Sequence, residues 1–212
     1  MRQELERHLD LLSAVERGET VSQATLSQRV GIAVGLVNAL LKRAVRKGFV
    51  KVSEAPARRY AYYLTPTGLA EKSRLVGAYL HHSLEFFREA RADYLDLLLR
   101  AAHAGRWRVV LVGGGELAEI ALIAAANAGS KAVAVISADI NRERHLGLPV
   151  YASIEKVKDF DLALLTTYEG AQQRYDLLVR HLGSDRVAAP SFLRVVEEPN
   201  SENRRKKVAH ET

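Results

Sequence analysis

The chain has 212 residues, enough for one large or two small domains, and its 48% hydrophobic and 26% charged content suits ordinary globular cores. It has no cysteine, which excludes disulfides, thiolate metal sites and cysteine nucleophiles. No run reaches the roughly 18 apolar residues of a membrane span, Met1–Arg7 has no apolar signal core, and the net charge is +6; the expectation is a soluble, cytoplasmic protein.

Leu5, Leu9, Leu11, Leu12 and Val15 recur at helical spacing, and Gly18 stops that helix. Ser22 reads as the N-cap of a short helix that turns Leu26 and Val30 inward. Gly31-Ile32 makes a turn. A second helix then runs from about Ala33 to Lys47, with Val37, Leu40, Leu41, Ala44 and Val45 as its apolar stripe, and Gly48 ends it. Two helices joined by a short Gly-containing turn fit a helix-turn-helix, whose second helix enters the major groove. Phe49–Val52 and Tyr60–Leu64 read as extended pieces around Ser53–Arg59, a hairpin wing with a basic tip. From Lys42 to Arg59 there are seven Lys or Arg against one acid, Glu54. Such a cluster neutralises several phosphates and makes DNA binding salt-dependent; its helical part also fits a solvated helix end that complements the dipole.

Thr65-Pro66-Thr67-Gly68 opens another helix, with Thr65 as N-cap and Pro66 at the first position, where its missing N–H costs nothing. The pattern continues to about Ala104, with Gly77 as a candidate break. Dimerisation is the natural use of so long a helix, because two half-sites are read by a two-fold dimer; packing against the next domain is the alternative. Adjacent His81 and His82 point about 100° apart on a helix and do not chelate one ion.

From Trp107 the pattern changes. Arg108–Val112 is a buried strand, Glu116–Ala128 a helix ended by Gly129, and Ala132–Ile136 a second strand. Val150-Tyr151 reads as a short third strand, Asp161–Leu165 as another, Ala171–Leu182 as a helix and Arg186–Ala189 as a final strand. Strands alternating with helices imply a parallel, Rossmann-like sheet. Between the first strand and its helix, Gly113-Gly114-Gly115-Glu116-Leu117-Ala118 matches G-x-G-x-x-A. In that pattern the first Gly permits the tight turn, the second lets phosphate approach, and the Ala allows close helix–strand packing. Free N–H groups at the helix start hold the phosphate; the other reading is a tight turn that binds nothing. Ser137 occupies the position where a dinucleotide fold places an acid for the ribose, with Asp139 two residues on. Arg142 and Arg144 fit either a phosphate contact or a solvated loop. Thr166-Thr167-Tyr168-Glu169 follows the next strand on the ligand edge of the sheet, where Tyr168 either stacks on a base or covers the core.

The ordered set Leu26–Ile32, Gly35–Asn38, Lys47–Val52 and Tyr62–Gly68 resembles winged-helix regulators of the MarR type, closest to the group associated with exopolysaccharide gene clusters. The resemblance implies that Val34, Gly35, Asn38, Ala39 and Lys42 face the DNA groove, that Lys42 and Arg43 contact backbone, and that Arg58 and Arg59 sit in the minor groove or on phosphate. Asn38 is the best base reader, since an amide pairs bidentately with adenine; it equally fits a surface polar position.

Val112–Ala118 together with Gly147–Tyr151 is similar to the CoA-binding-like Rossmann domains of nucleotide-sugar enzymes and sugar acyltransferases. A winged helix followed by a Rossmann-like domain also resembles the Rex redox repressors, which sense NADH. The chain departs from that pattern at Ser137 and in the polar run after Val196, which is expected to be disordered.

The expected architecture is therefore α/β, with a winged helix-turn-helix over 1–68, a connecting helix over 69–105, a Rossmann-like sheet over 106–196 and a tail over 197–212. The expected function is a homodimeric regulator of double-stranded DNA, not an enzyme, that senses a nucleotide or nucleotide sugar at Gly113, Gly114, Gly115, Glu116, Leu117, Ser137, Asp139, Arg142, Thr166, Thr167 and Tyr168. The alternatives are a Rex-like NADH sensor, a nucleotide-sugar enzyme, and a sheet that serves only as a dimerisation scaffold. No metal and no membrane partner are expected.

Overall fold

The computed structural model describes residues 2–17, 23–55, 59–138 and 143–196. The chain divides into two compact units, Met1–Glu85 and Phe86–Thr212. Among the described residues, no helix is long and apolar enough to cross a membrane.

The first unit holds α1 (Arg2–Glu16), α2 (Gln23–Val30), α3 (Val34–Arg46), β1 (Val50–Ala55), β2 (Arg59–Leu64) and the part of α4 (Pro66–His103) up to Glu85. Helical spacing sends Leu11, Leu12 and Val15 of α1, Leu26 of α2, and Val37, Leu40 and Leu41 of α3 into one core with Val50, Tyr62 and Leu75. Each such large side chain contributes about 1.5–3 kcal/mol on burial. Gly31, at φ 68, turns the chain between α2 and α3, and its N–H donates to the Ser27 carbonyl at 2.9 Å.

β1 and β2 form an antiparallel hairpin in register from Val50↔Leu64 to Ala55↔Arg59. β1 therefore starts one residue later than the expected Phe49–Val52 piece and runs three residues past its end, because Ser53, Glu54 and Ala55 keep pairing with the opposite strand. Thr65 caps α4: its hydroxyl accepts the Gly68 N–H at 3.0 Å and donates to the Gly48 carbonyl at 2.6 Å. Thr67 donates to the same carbonyl at 2.9 Å. A Cβ at Gly68 would overlap the Phe49 carbonyl oxygen, so only glycine fits where the helix start meets the end of α3. α4 runs through Gly77 without interruption; one exposed helical glycine costs only about 1 kcal/mol.

The second unit holds the rest of α4, then β3 (Arg108–Val112), α5 (Glu116–Ala128), β4 (Lys131–Ile136), β5 (Arg144–His145), β6 (Leu148–Tyr151), β7 (Leu162–Leu165), α6 (Ala171–Leu182) and β8 (Val187–Ala188). The sheet order is β5-β6-β4-β3-β7-β8. β6, β4, β3, β7 and β8 are parallel, and only the edge strand β5 is antiparallel. The third strand begins at Leu148, ahead of the expected Val150, and is joined to β5 by the two-residue turn Leu146-Gly147.

Alternation along the strands divides the core into two layers. Val109, Leu111, Val135, Leu162 and Leu164 meet α5 and the α4 residues Ala90, Tyr94 and Leu98. Val110, Val112, Ala134, Ile136, Ala163 and Leu165 face the other way, onto Tyr175 and Leu178 of α6 and Ile154 of a short 3₁₀ turn. Strands buried on both faces explain why β3 and β7 read as continuous apolar runs rather than alternating ones. Of the sequence features above, Gly18, Ser22, Arg58, Asp139, Arg142 and the tail 197–212 lie outside the described residues.

Candidate nucleic-acid interface and ligand cleft

On α3, Val34, Gly35, Ala39, Lys42 and Arg46 are exposed and Asn38 is half-buried, while Val37, Leu40, Leu41 and Ala44 are buried. At 100° per residue the outward set spans an arc of about 140°. The N-terminal residue of that face is an exposed valine, Val34 at 46%. Arg43 lies off the arc, next to α1, where its guanidinium donates to the Glu4 carboxylate at 3.3 Å. Lys47 stands over the Phe49 ring, 5.6 Å from its centroid. Among the described residues, Lys42 and Arg46 have no acidic partner. Of the sequence-predicted DNA set, Val34, Gly35, Asn38, Ala39 and Lys42 thus share one face, Arg43 sits apart, Arg59 starts β2, and Arg58 is outside the described residues.

The glycine turn lies at the carboxyl end of β3, between β4 on one side and β7 on the other. The chain leaves β3 toward β4 through α5 and reaches β8 from β7 through α6, so the helices diverge at this point. That is where open α/β sheets leave a crevice. Gly113 has φ 118, a conformation L side chains rarely adopt, and a Cβ there would lie 2.7 Å from the Thr166 carbonyl oxygen. Its N–H donates to the Ile136 carbonyl at 2.9 Å, and its carbonyl accepts the Thr166 hydroxyl at 2.8 Å. Thr166 is 1% exposed, so its polar atom is spent on shaping the turn. Gly115 is different: φ is −89, and a Cβ there would meet nothing within 4 Å. Ala118 is fully buried against the strand layer, as close helix–strand packing requires.

These elements enclose a cleft of about 270 Å³, lined by Gly113, Gly114, Gly115, Glu116, Leu117, Ser137, Thr166, Thr167, Tyr168, Glu169 and Arg174. Nine of those positions belong to the sequence-predicted ligand set; Asp139 and Arg142 lie outside the described residues. Among the described residues, the N–H groups of Gly114, Gly115, Glu116 and Leu117 have no protein acceptor, as expected for the first turn of a helix. They make a concave donor surface suited to an anion. Ser137 stands at the end of β4 and its N–H donates to the Tyr151 carbonyl at 3.0 Å. Tyr168 is 68% exposed and so presents its ring to solvent at the rim.

Sequence reasoning missed Arg174 and His145 here, and placed Glu169 on the ligand edge without assigning it to the site. Glu169 and Arg174 line the cleft from the start of α6, where the Arg174 Nε donates to the Glu169 carbonyl at 3.2 Å. His145 reaches the turn from β5, with its Nε2 2.7 Å from the Gly114 carbonyl oxygen. The Gly147 that follows it, ahead of Leu148-Pro149-Val150-Tyr151, is the signal of a tight hairpin that would have placed it. Among the described residues, no cluster of three His, Asp or Glu is arranged to hold a metal ion.

No curated protein matches the chain at a significant level. Among solved structures, the chain is similar to the crystal structure of MepR, a transcription regulator of the Staphylococcus aureus multidrug efflux pump MepA. The identity is 15%, over 41% of this chain and 73% of that one, with a TM-score of 0.34. The MarR family model matches residues 5–59. That span covers the helices α1 to α3 and the first strand of the hairpin, and the chain carries at its N-terminus a MarR-family winged-helix domain.

Proposed function

We propose that the chain is a DNA-binding transcription regulator whose second unit senses a nucleotide-containing metabolite, a nucleotide sugar or related nucleotide. The observation that carries the DNA half is the outward face of α3 within a MarR-family domain. Lys42 and Arg46 supply phosphate contacts, Asn38 reads a base edge, and Val34 packs on a thymine methyl. Arg58 and Arg59 extend the contact through the wing. Arg43, committed to Glu4, is a secondary contributor.

The sensing half rests on the glycine turn. Setting β5 aside, the order β6-β4-β3-β7-β8 corresponds to 3-2-1-4-5 of a doubly wound sheet, which supports a Rossmann-like reading. Unpaired N–H groups and Arg174 favour a phosphate, and Glu169, Glu116 and Ser137 offer acceptors to sugar hydroxyls. A serine at the end of β4, where NADH readers carry a carboxylate, favours a ligand other than NADH.

The regulator acts as a homodimer. Leu69, Val76, Leu80 and Leu84 of α4 are exposed within an arc of about 80°, on the side away from the buried Leu75. Ligand binding shifts DNA affinity only through its differential affinity for two arrangements of the dimer.

The test is fluorescence anisotropy with labelled duplex DNA at several salt concentrations, with and without NADH, ADP, UDP and UDP-glucose. The expected result is salt-dependent DNA binding that a uridine or adenine nucleotide changes. DNA binding altered by NADH alone overturns the ligand class, and no DNA binding at any salt overturns the regulator.

A further inference from the structure

We propose that His145 is a positioning residue for the glycine turn: it holds the Gly114 carbonyl and so aims the Gly115 N–H at the ligand phosphate. This rests on reading the cleft as a phosphate site. A carbonyl oxygen only accepts, so the contact of 2.7 Å requires the proton on the His145 Nε2. The Gly114 carbonyl and the Gly115 N–H belong to one planar trans peptide and point in opposite directions. Fixing the carbonyl toward His145 therefore fixes the N–H on the other side. His145 does not line the cleft, whereas Gly114 and Gly115 do. The imidazole acts from behind the turn.

Among the described residues, no other side chain holds the Gly114 carbonyl. The Gly113 carbonyl is held by the Thr166 hydroxyl, which leaves the Gly114–Gly115 peptide, in a run of three glycines without side chains, free to rotate unless His145 restrains it. The hairpin that carries His145 is itself well determined. His145 pairs with Leu148 across Leu146 and Gly147, at φ 53 and φ 76. Two positive φ values in a two-residue loop make a type I′ turn. Leu146 accepts this uncommon conformation because its side chain packs, with that of Leu148, against the core layer that contains Val135. The imidazole is thus set by a strained turn anchored in the core rather than by a free loop.

The experiment is titration calorimetry of the full chain with UDP and with ADP, for wild type, His145→Ala and His145→Gln, alongside long-range ¹H–¹⁵N spectra of the imidazole. Expected is a proton on Nε2, a diphosphate affinity about tenfold weaker in His145→Ala, in line with one hydrogen bond removed, recovery in His145→Gln, whose amide also donates, and a displaced Gly115 amide resonance in ligand-free His145→Ala. Wild type that binds neither diphosphate overturns the phosphate reading of the cleft and the ligand role with it. Diphosphate binding that is unchanged within twofold in His145→Ala, or a proton on Nδ1, overturns the positioning role alone. A loss that His145→Gln fails to restore likewise overturns it, because the hairpin and not the donor is then what matters.

Discussion

The Thr166 hydroxyl donates to the Gly113 carbonyl at 2.8 Å, while the Thr166 backbone carbonyl lies 2.7 Å from where a Gly113 Cβ would stand. One residue at the end of β7 thus both braces the glycine turn and forbids a side chain at its first position. Two residues further along the turn, Gly115 carries no such restriction, because open space lies where its Cβ would be.

That contrast separates folding from binding. Gly113→Ala forces either φ 118 on an alanine or a shift of β7, and is expected to cost several kcal/mol, of the order of a severe core substitution. Gly115→Ala, at φ −89, is expected to change stability by less than about 0.5 kcal/mol, as for an unhindered surface change. Its methyl enters the phosphate space, however, and nucleotide binding is expected to fall. Urea denaturation paired with calorimetry reads both quantities. Equal destabilisation by the two variants would sink the assignment.

Thr65 ties the end of α3 to the start of α4 through the Gly48 carbonyl and the Gly68 N–H. Thr65→Ala removes a cap and is expected to destabilise the winged-helix unit by about 1 kcal/mol. Thr65→Ser keeps the hydroxyl and is expected to restore most of that. Denaturant midpoints of the two variants check it, and a Ser variant as weak as Ala would mean that the methyl, not the cap, matters.

Much of this arrangement was legible in the chain itself. Gly115 and Gly129 bracket α5 because the second, at φ 70, ends the helix in the left-handed region, and Ala171–Leu182 coincides with the observed α6. The apolar run Arg108–Val112 signalled a fully buried strand, and Asp161–Leu165 signalled a strand. What escaped was set by tertiary contact. Ser53, Glu54 and Ala55 have no strand signature and are extended only because residues 59–61 pair with them. Arg43 looks like its neighbours Lys42 and Arg46 in sequence, and only the placement of Glu4 on α1 draws it away. His145 lies 31 residues from Gly114; Gly147 marks the hairpin that carries it, but nothing local reports the contact with the glycine turn. Arg174 escaped for a related reason: its place in the cleft follows from α6 starting beside Glu169, not from any spacing to the glycines.

The same separation of Arg43 from Lys42 and Arg46 makes the DNA interface testable by charge. Lys42→Gln with Arg46→Gln is expected to reduce the slope of log affinity against log salt by about 2, one unit for each phosphate no longer neutralised. Arg43→Gln is expected to change it by much less than 1, since its charge is directed at Glu4. Anisotropy titrations between low and physiological salt give both slopes. An Arg43→Gln effect as large as that of Lys42→Gln would place Arg43 in the interface.

The exposed stripe of α4 predicts the assembly. Val76→Lys with Leu80→Lys is expected to convert a dimer to a monomer in sedimentation experiments, with the far-ultraviolet helical signal unchanged because both side chains are outside the core. Affinity for a two-half-site duplex falls with it, since a monomer reads one half-site. A variant that stays dimeric shows that the interface lies elsewhere on the chain.

Tyr94 links α4 to the sheet and predicts a pH dependence. It is fully buried, its hydroxyl donates to the Leu165 carbonyl at 3.0 Å, and its ring meets Phe192 edge to face. Burial, and then the Asp93 charge, push the phenol well above the ordinary tyrosine range. A raised pKa means that the folded chain holds this proton more tightly than the unfolded one. The resulting stability is complete below the unfolded value of about 10 and is lost as pH rises above it through the folded value. Tyr94→Phe removes the hydrogen bond at a cost of about 1 kcal/mol at neutral pH and also removes this alkaline term. The difference between wild type and variant in urea stability is therefore expected to be largest at pH 7 and to shrink above about pH 10. A difference that stays constant to higher pH would show that Tyr94 is not the group whose ionisation weakens the fold.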